Sequence, residues 1–228
     1  MAKTAPPYPV AVEDYVKVIY AHTEWQPHAI TSSVLAARLG LAASSVTEMV
    51  KKLGAQGLVD HEPYGAVTLT DEGRLLALRM VRRHRLIETW LVREFGYLWD
   101  EVHDEAEVLE HALSDRMLDA IDDRLARPRR DPHGDPIPSR DGRVVRPDAT
   151  LLRDVAAGET VTVARISDRD PGLLRHLETA GVMLDAVLTV GSLHPLVVAL
   201  AGRPEPIELA PEALESIWVS RAGRRRVK

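Results

Sequence analysis

The chain of 228 residues contains no cysteine, which excludes disulfides, thiolate-held iron–sulfur clusters and cysteine zinc sites. Hydrophobic residues at 45% and charged residues at 28% describe an ordinary globular protein whose length suits two or three units of roughly 50 to 150 residues. The formal net charge of -5 does not exclude a nucleic-acid partner, because such binding needs only a local basic surface.

The opening MAKTAPPYPVAVEDY has neither the apolar core nor the cleavage pattern of an export signal, and no apolar run is long enough to cross a bilayer. A cytoplasmic location without a membrane partner is expected. Residues 12 to 25 have Val12, Tyr15, Val16, Ile19 and Tyr20 at helical spacing. Thr31 suits the cap of a second helix, SSVLAARLG, with Val34, Leu35 and Leu39 inward and Gly40 at its end. A third helix opens near Ser44 or Ser45 and carries the stripe Val46, Met49, Val50, Leu53. LVDHE and AVTLT around PYG predict a two-stranded wing. Three helices followed by a hairpin is the order of a winged helix-turn-helix.

From Asp71 to about Phe95 the pattern predicts one long helix, with Thr70 as its cap and Gly73 tolerated near its start. One or two further helices are predicted from about Asp104 to Leu125, with apolar Val108, Leu109, Leu113, Met117, Leu118 and Ile121. Regularity ends at Pro128, where PRRDPHGDPIPSRDGRVVRP reads as a linker. Beyond it VTVARI, VLTVG, LVVAL and PIELA are short β-like runs around a helical LLRHLETAG, the makings of a small barrel. RAGRRRVK reads as a basic tail.

Two stretches carry chemistry. In a helix-turn-helix the second helix enters the major groove, which places Ser44, Ser45, Thr47, Glu48 and Lys51 toward DNA. Hydroxyls and Lys51 suit phosphate or base edges, and Glu48 suits a cytosine amino group. A helical pair in a protein-interaction module is the competing reading. In HDEAEVLEH, His103, Glu107, Glu110 and His111 share one helical stripe, a grouping that is costly unless solvated, paired or coordinating a cation. His84 and Glu88 repeat the pairing four residues apart. An exposed acidic helix with incidental histidines is the alternative. His22, His28, His61, His133, His176 and His194 lack a comparable setting. Oxygen and imidazole donors suit Mn²⁺ and accept Fe²⁺, with Zn²⁺, Co²⁺ or Cd²⁺ as substitutes in vitro.

The segments VEDYVKVIY (12–20), LAARLGLAASSVTEMVKKLGAQGLVDHE (35–62), VTLTDEGR (67–74), VRRHRLIE (81–88), VHDEAEVLEHALSD (102–115) and DPHGDPIP (131–138) closely resemble the diphtheria toxin repressor family of metal-dependent repressors. The likeness is to its manganese-responsive, actinobacterial type. That resemblance implies a mainly α, α+β chain of three parts. These are a winged helix-turn-helix domain (1–75), a helical metal-binding and dimerisation domain (76–143) and an SH3-like C-terminal barrel (150–221). It implies one metal site from His84, Glu88 and His103 with Asp170 of the third domain. Leu173 stands at the family's glutamine position, where Asp168 can substitute. The other site comprises Asp14, Glu107, Glu110 and His111. Methionine and cysteine replace Asp14 and Glu107 in iron-responsive members, which favours Mn²⁺ here.

The expected function is a homodimeric Mn²⁺-activated repressor on double-stranded operator DNA of metal-uptake genes, with one or two dimers per operator left open. An Fe²⁺-dependent repressor is the alternative. A metallohydrolase would need a nucleophile or general base that the sequence does not present, so an enzyme is not expected. The dimer is expected to close through residues about 96 to 125, with Leu113, Met117 and Ile121 at the interface.

Overall fold

The structure, a computed structural model, describes residues 8–26, 28–61 and 65–221. The wing-tip turn and the basic tail expected after Arg221 lie outside the described residues. The chain forms two compact units, one of residues up to His84 with 138–143, the other of 85–137 with 144 onward.

The first unit contains α1 (Val10–Thr23), β1 (Ile30–Thr31), α2 (Ser32–Leu39), α3 (Ala43–Ala55), β2 (Val59–His61), β3 (Ala66–Leu69) and the start of α4 (Asp71–Phe95). Its core is the expected stripe of Val12, Tyr15, Val16, Ile19 and Tyr20 with Leu35, Val46, Val50 and Leu53. Thr31 caps α2 by accepting from the Val34 amide at 3.3 Å, and Gly40 ends it in the left-handed conformation at φ 65°. On α2, Val34 points outward and Ala36 takes the inward position. The bend between α2 and α3 is 113°, within the range of a helix-turn-helix. The wing has three strands rather than two, ordered β1-β3-β2. The additional strand, β1, pairs Ile30 with Val67 and Thr31 with Ala66. Such a short strand has no period to read and is defined by its partner.

Thr70 caps α4, accepting from the Gly73 amide at 3.1 Å. Gly73 is required rather than tolerated, because a Cβ there would lie 1.9 Å from the Leu58 carbonyl oxygen.

In the second unit α4 continues and is followed by α5 (Val102–Leu109) and α6 (Asp115–Arg124). Ile87, Leu91, Val102, Ala106 and Leu118 form one cluster, and Leu86, Ile121, Leu125 and Ile137 another. Ile121 is therefore internal core, not the surface position expected of it. Phe95, Leu98, Val108 and Met117 are instead exposed. The acidic helix stops at Leu109, and α6 restarts with Ser114 accepting from the Met117 amide at 3.3 Å.

The C-terminal elements are β4 (Thr150–Leu151), β5 (Thr160–Ile166), α7 (Pro171–Ala180), β6 (Val187–Leu193), β7 (Leu196–Leu200), β8 (Ile207–Glu208), α8 (Ala213–Ser216) and β9 (Ile217–Arg221). The strands form one sheet ordered β4-β9-β5-β6-β7-β8, all pairings antiparallel. The expected runs are β5 to β8. The sequence pattern does not announce β9, yet it lies inside the sheet between β4 and β5. Alternate residues of β5, β6, β7 and β9 fill the core with Leu173, Leu174 and Leu177 of α7. Among the described residues no single helix is long and apolar enough to cross a membrane.

Candidate metal centre

Four residues on α4, α5 and the β5–α7 loop meet in the second unit. Glu88 is 1% exposed, and His103 Nδ1 lies 3.5 Å from its Oε1. The same nitrogen is 3.6 Å from Asp168 Oδ2, while His103 Nε2 is 3.5 Å from Glu107 Oε1. Spacing explains part of this, since His103 and Glu107 stand one turn apart on α5. His84 precedes Glu88 by one turn on α4 and is also buried. Glu110 and His111 fall just beyond α5, with Glu110 wholly buried and His111 Nε2 3.3 Å from its Oε1. Asp14 is half-buried on α1. Asp170 caps α7, where its Oδ1 accepts from the Leu173 amide at 3.0 Å. Asp168 is thus the C-terminal carboxylate beside His103, and Asp170 orders the helix that follows.

Sequence reading missed His133 and Asp131. They lie in the connector after α6, and Glu88, Asp131 and His133 form a wholly buried set whose donor atoms all fall within 4.8 Å of one another. His133 Nε2 is 2.6 Å from the Trp99 carbonyl oxygen. Its Nδ1 has no hydrogen-bond partner among the described residues and stands 4.0 Å from Glu88 Oε2. Asp131 Oδ1 accepts from the His133 and Asp135 amides, each at 2.9 Å. DPHG was the available signal, but Asp131 and His133 alone make only two donors, and the Glu88 carboxylate that joins them lies far off in sequence.

Burial and crowded carboxylates shift the titratable groups of this set upward. Burial, then Asp135 and Glu88, push the Asp131 carboxyl up to about 8. Desolvation lowers the His133 pKa, but Glu88, Asp131 and Asp168 outweigh it and the net shift is upward. Arg85 offsets part of the negative charge, with Nε 3.6 Å from Asp131 and Nη2 3.5 Å from Asp135. A buried imidazole nitrogen without a hydrogen-bond partner among the described residues, beside the Glu88 carboxylate, fits a divalent cation. All of these donors are oxygen or nitrogen.

The second exposed chemistry is on α3. Ser44, Ser45, Thr47, Glu48 and Lys51 are all exposed or half-exposed on that helix. Thr47 donates its hydroxyl to the Ala43 carbonyl at 2.9 Å, leaving its oxygen able to accept. Lys51 pairs with Glu48 at 3.0 Å, both side chains largely in solvent, a contact weak enough to exchange for phosphate.

Three family models match in succession. They are the iron dependent repressor N-terminal DNA binding domain over 10–67, the iron dependent repressor metal binding and dimerisation domain over 70–139, and the FeoA domain over 150–221. The iron-dependent repressor IdeR of Mycobacterium tuberculosis is 32% identical over an alignment of 190 residues that covers 78% of this chain and 82% of the relative. The HTH-type transcriptional regulator MntR of Oceanobacillus iheyensis is 36% identical over 113 residues, 50% of this chain and 76% of the relative. A solved manganese-dependent transcriptional repressor in complex with manganese has a TM-score of 0.88 at 50% identity, covering 92% of this chain and 99% of that one. ScaR with bound Cd²⁺ has a TM-score of 0.78 at 32% identity, covering 92% and 99%. These relatives are regulators rather than enzymes, and the matched domains imply a homodimer that binds DNA. The chain belongs to the iron-dependent repressor family of metal-dependent transcriptional regulators, with a winged helix-turn-helix, a helical dimerisation domain and a small SH3-like FeoA domain.

Proposed function

We propose that the chain is a Mn²⁺-activated homodimeric repressor of metal-uptake genes in the cytoplasm. The observation that carries this reading is the sulfur-free donor set of the second unit, in which buried Glu88 and Glu110 stand beside imidazoles. Carboxylate and imidazole donors suit Mn²⁺ better than the softer metals that thiolate or thioether sites select. Fe²⁺ accepts the same donors, so an Fe²⁺ response is the second reading. The switch site is assigned to Asp14, Glu107, Glu110 and His111. The supporting site is assigned to His84, Glu88, His103 and Asp168. Asp131 and His133 extend the supporting set inward around Glu88, supported by the unpartnered His133 Nδ1.

The bound cation supplies a charge that several anionic and imidazole donors share. The protein does the remainder. Asp14 belongs to the first helix of the DNA-binding domain, whereas Glu107, Glu110 and His111 belong to the dimerisation helices. A shared ligand shell fixes the one against the other, and in a two-fold dimer it sets the spacing of the two α3 helices. That spacing must match half-sites about 34 to 36 Å apart or a multiple of it. Metal and DNA then strengthen each other's binding reciprocally. On α3, Lys51 and the Ser44, Ser45 and Thr47 hydroxyls hold the backbone and groove, with Glu48 facing base edges. Exposed Phe95, Leu98, Val108 and Met117 are assigned to the dimer contact.

The test is a DNA-binding titration with Mn²⁺ and with Fe²⁺ under anaerobic, chelator-controlled conditions. Tight operator binding at lower free Mn²⁺ than Fe²⁺ supports the proposal. Metal-independent binding, or activation by Fe²⁺ alone, overturns it.

A further inference from the structure

His133 is the buried donor that no local pattern announces, and its two ring nitrogens have sharply different surroundings. Nε2 is 2.6 Å from the Trp99 carbonyl oxygen. A carbonyl only accepts, so Nε2 carries the hydrogen. In the neutral ring Nδ1 is then the lone-pair nitrogen, and it is the one left without a hydrogen-bond partner among the described residues, beside Glu88. The Trp99 backbone thus selects the tautomer that can ligate.

What holds Trp99 in place comes from the C-terminal domain. Its indole is 5% exposed and belongs to the same apolar cluster as β5, β6, β7, β9 and α7. The indole Nε1 donates to Glu178 Oε2 of α7 at 3.2 Å, and the ring stacks on His133 at 6.1 Å between centroids, 14° apart. Arg175 of α7 donates to Asp100 Oδ2 at 2.7 Å. The other side of the histidine is tied down as well. The Ile166 amide of β5 donates to the His133 carbonyl at 2.9 Å. Arg165 Nε donates to Asp135 Oδ1 at 2.8 Å. His133 therefore sits in a loop sewn to β5, under a carbonyl held by α7, while its free nitrogen faces a carboxylate of α4.

We propose that the C-terminal domain presets His133 as a metal ligand, with Trp99, Glu178, Asp100 and Arg175 as positioning residues that fix its tautomer and place. This rests on the reading that Glu88, Asp131 and His133 share a divalent cation. The domain contributes to that site through its grip on another segment's histidine, beyond the carboxylate of Asp168. Outer partners of this kind typically change metal affinity by about 10–100-fold.

The experiment uses the full-length protein and Mn²⁺ alone as the probe. Long-range ¹H–¹⁵N correlation on metal-free protein, at alkaline pH where the ring is neutral, reads the His133 tautomer. Mn²⁺ equilibrium binding, with free ion followed by electron paramagnetic resonance, reads affinity and stoichiometry. Wild-type protein is expected to show the Nε2–H tautomer. Glu178→Ala with Arg175→Ala is expected to mix the tautomers and weaken one Mn²⁺ site about tenfold or more. Glu178→Gln, whose amide oxygen still accepts from Trp99, restores both. If the double variant does not fold, Arg175→Ala alone, on an exposed side chain, is expected to shift both readouts in the same direction. An Nδ1–H tautomer in the wild type, or wild-type Mn²⁺ affinity in the folded positioning variants, overturns the inference. His133→Ala separates the two levels. Wild-type Mn²⁺ affinity and stoichiometry in that variant overturn the metal assignment itself, whereas weakened or lost binding of one ion there, with unchanged affinity in the positioning variants, overturns only the presetting by the domain.

Discussion

Replacing Gly134 by alanine tests how firmly the DPHG loop is fixed. Gly134 has φ +94°, and a Cβ there would lie 2.3 Å from the Ala164 oxygen, 2.8 Å from Arg165 Cα and 2.9 Å from Leu184 Cδ2. The first two atoms are backbone of β5 and cannot rotate aside. A left-handed backbone costs a non-glycine residue about 1–2 kcal/mol, and overpacking adds about 1–3 kcal/mol. Gly134→Ala should therefore destabilise the second unit by about 2–5 kcal/mol, or lift the loop and take His133 from Glu88. Urea unfolding of metal-free protein, followed by tryptophan fluorescence and circular dichroism, measures the first outcome. Mn²⁺ stoichiometry measures the second. A destabilisation below about 0.5 kcal/mol, the level of an ordinary surface substitution, together with wild-type Mn²⁺ binding would refute the argument.

Gly73→Ala meets the Leu58 carbonyl at 1.9 Å and should destabilise the first unit by at least about 1–3 kcal/mol; thermal unfolding and operator binding should fall together. Lys51→Ala removes a phosphate-directed charge already shared with Glu48. It should weaken specific and scrambled DNA alike and lower the salt-dependence slope by about 1 for each phosphate no longer neutralised, as read from binding isotherms at several salt concentrations. Asp14→Ala should leave a folded dimer that needs at least about tenfold more Mn²⁺ to bind DNA, the scale of a typical allosteric coupling; chelator-buffered fluorescence anisotropy checks this, and wild-type sensitivity would defeat the bridging role.

Features written in one contiguous run were legible. The stripe of α1, the Thr31 cap, the length of α4 and the core of α3 all depend on residues a few positions apart, where helical period and capping chemistry act. Likewise His103 and Glu107 share a turn of α5, so their proximity could be read from spacing. The stop at Leu109 is visible afterwards in Ser114, whose cap opens α6. What escaped depends on distant partners. β1 exists through its pairing with β3, and β9 is a strand because β4 and β5 flank it. Gly73 reads as dispensable until the Leu58 carbonyl occupies the place of its missing Cβ. His133 reads as incidental because Trp99 and Glu88, which give it a purpose, lie on other elements. Ile121 could be assigned to core or surface equally well by period, and only the packing against Leu86 and Leu125 decides it.

The ligand shells assigned here contain no sulfur, and the chain has no cysteine anywhere. Peroxide inactivates thiolate sensors by carrying the ligand itself to sulfenic and then irreversible sulfinic acid. Carboxylates and imidazoles have no place on that ladder. This regulator should therefore continue to report its metal under oxidant stress that would silence a relative relying on cysteine and methionine. Its five methionines remain oxidisable, but none is among the assigned ligands. Damage there would loosen packing first, and the Mn²⁺ dose needed for DNA binding should be the same before and after mild peroxide treatment of the folded protein.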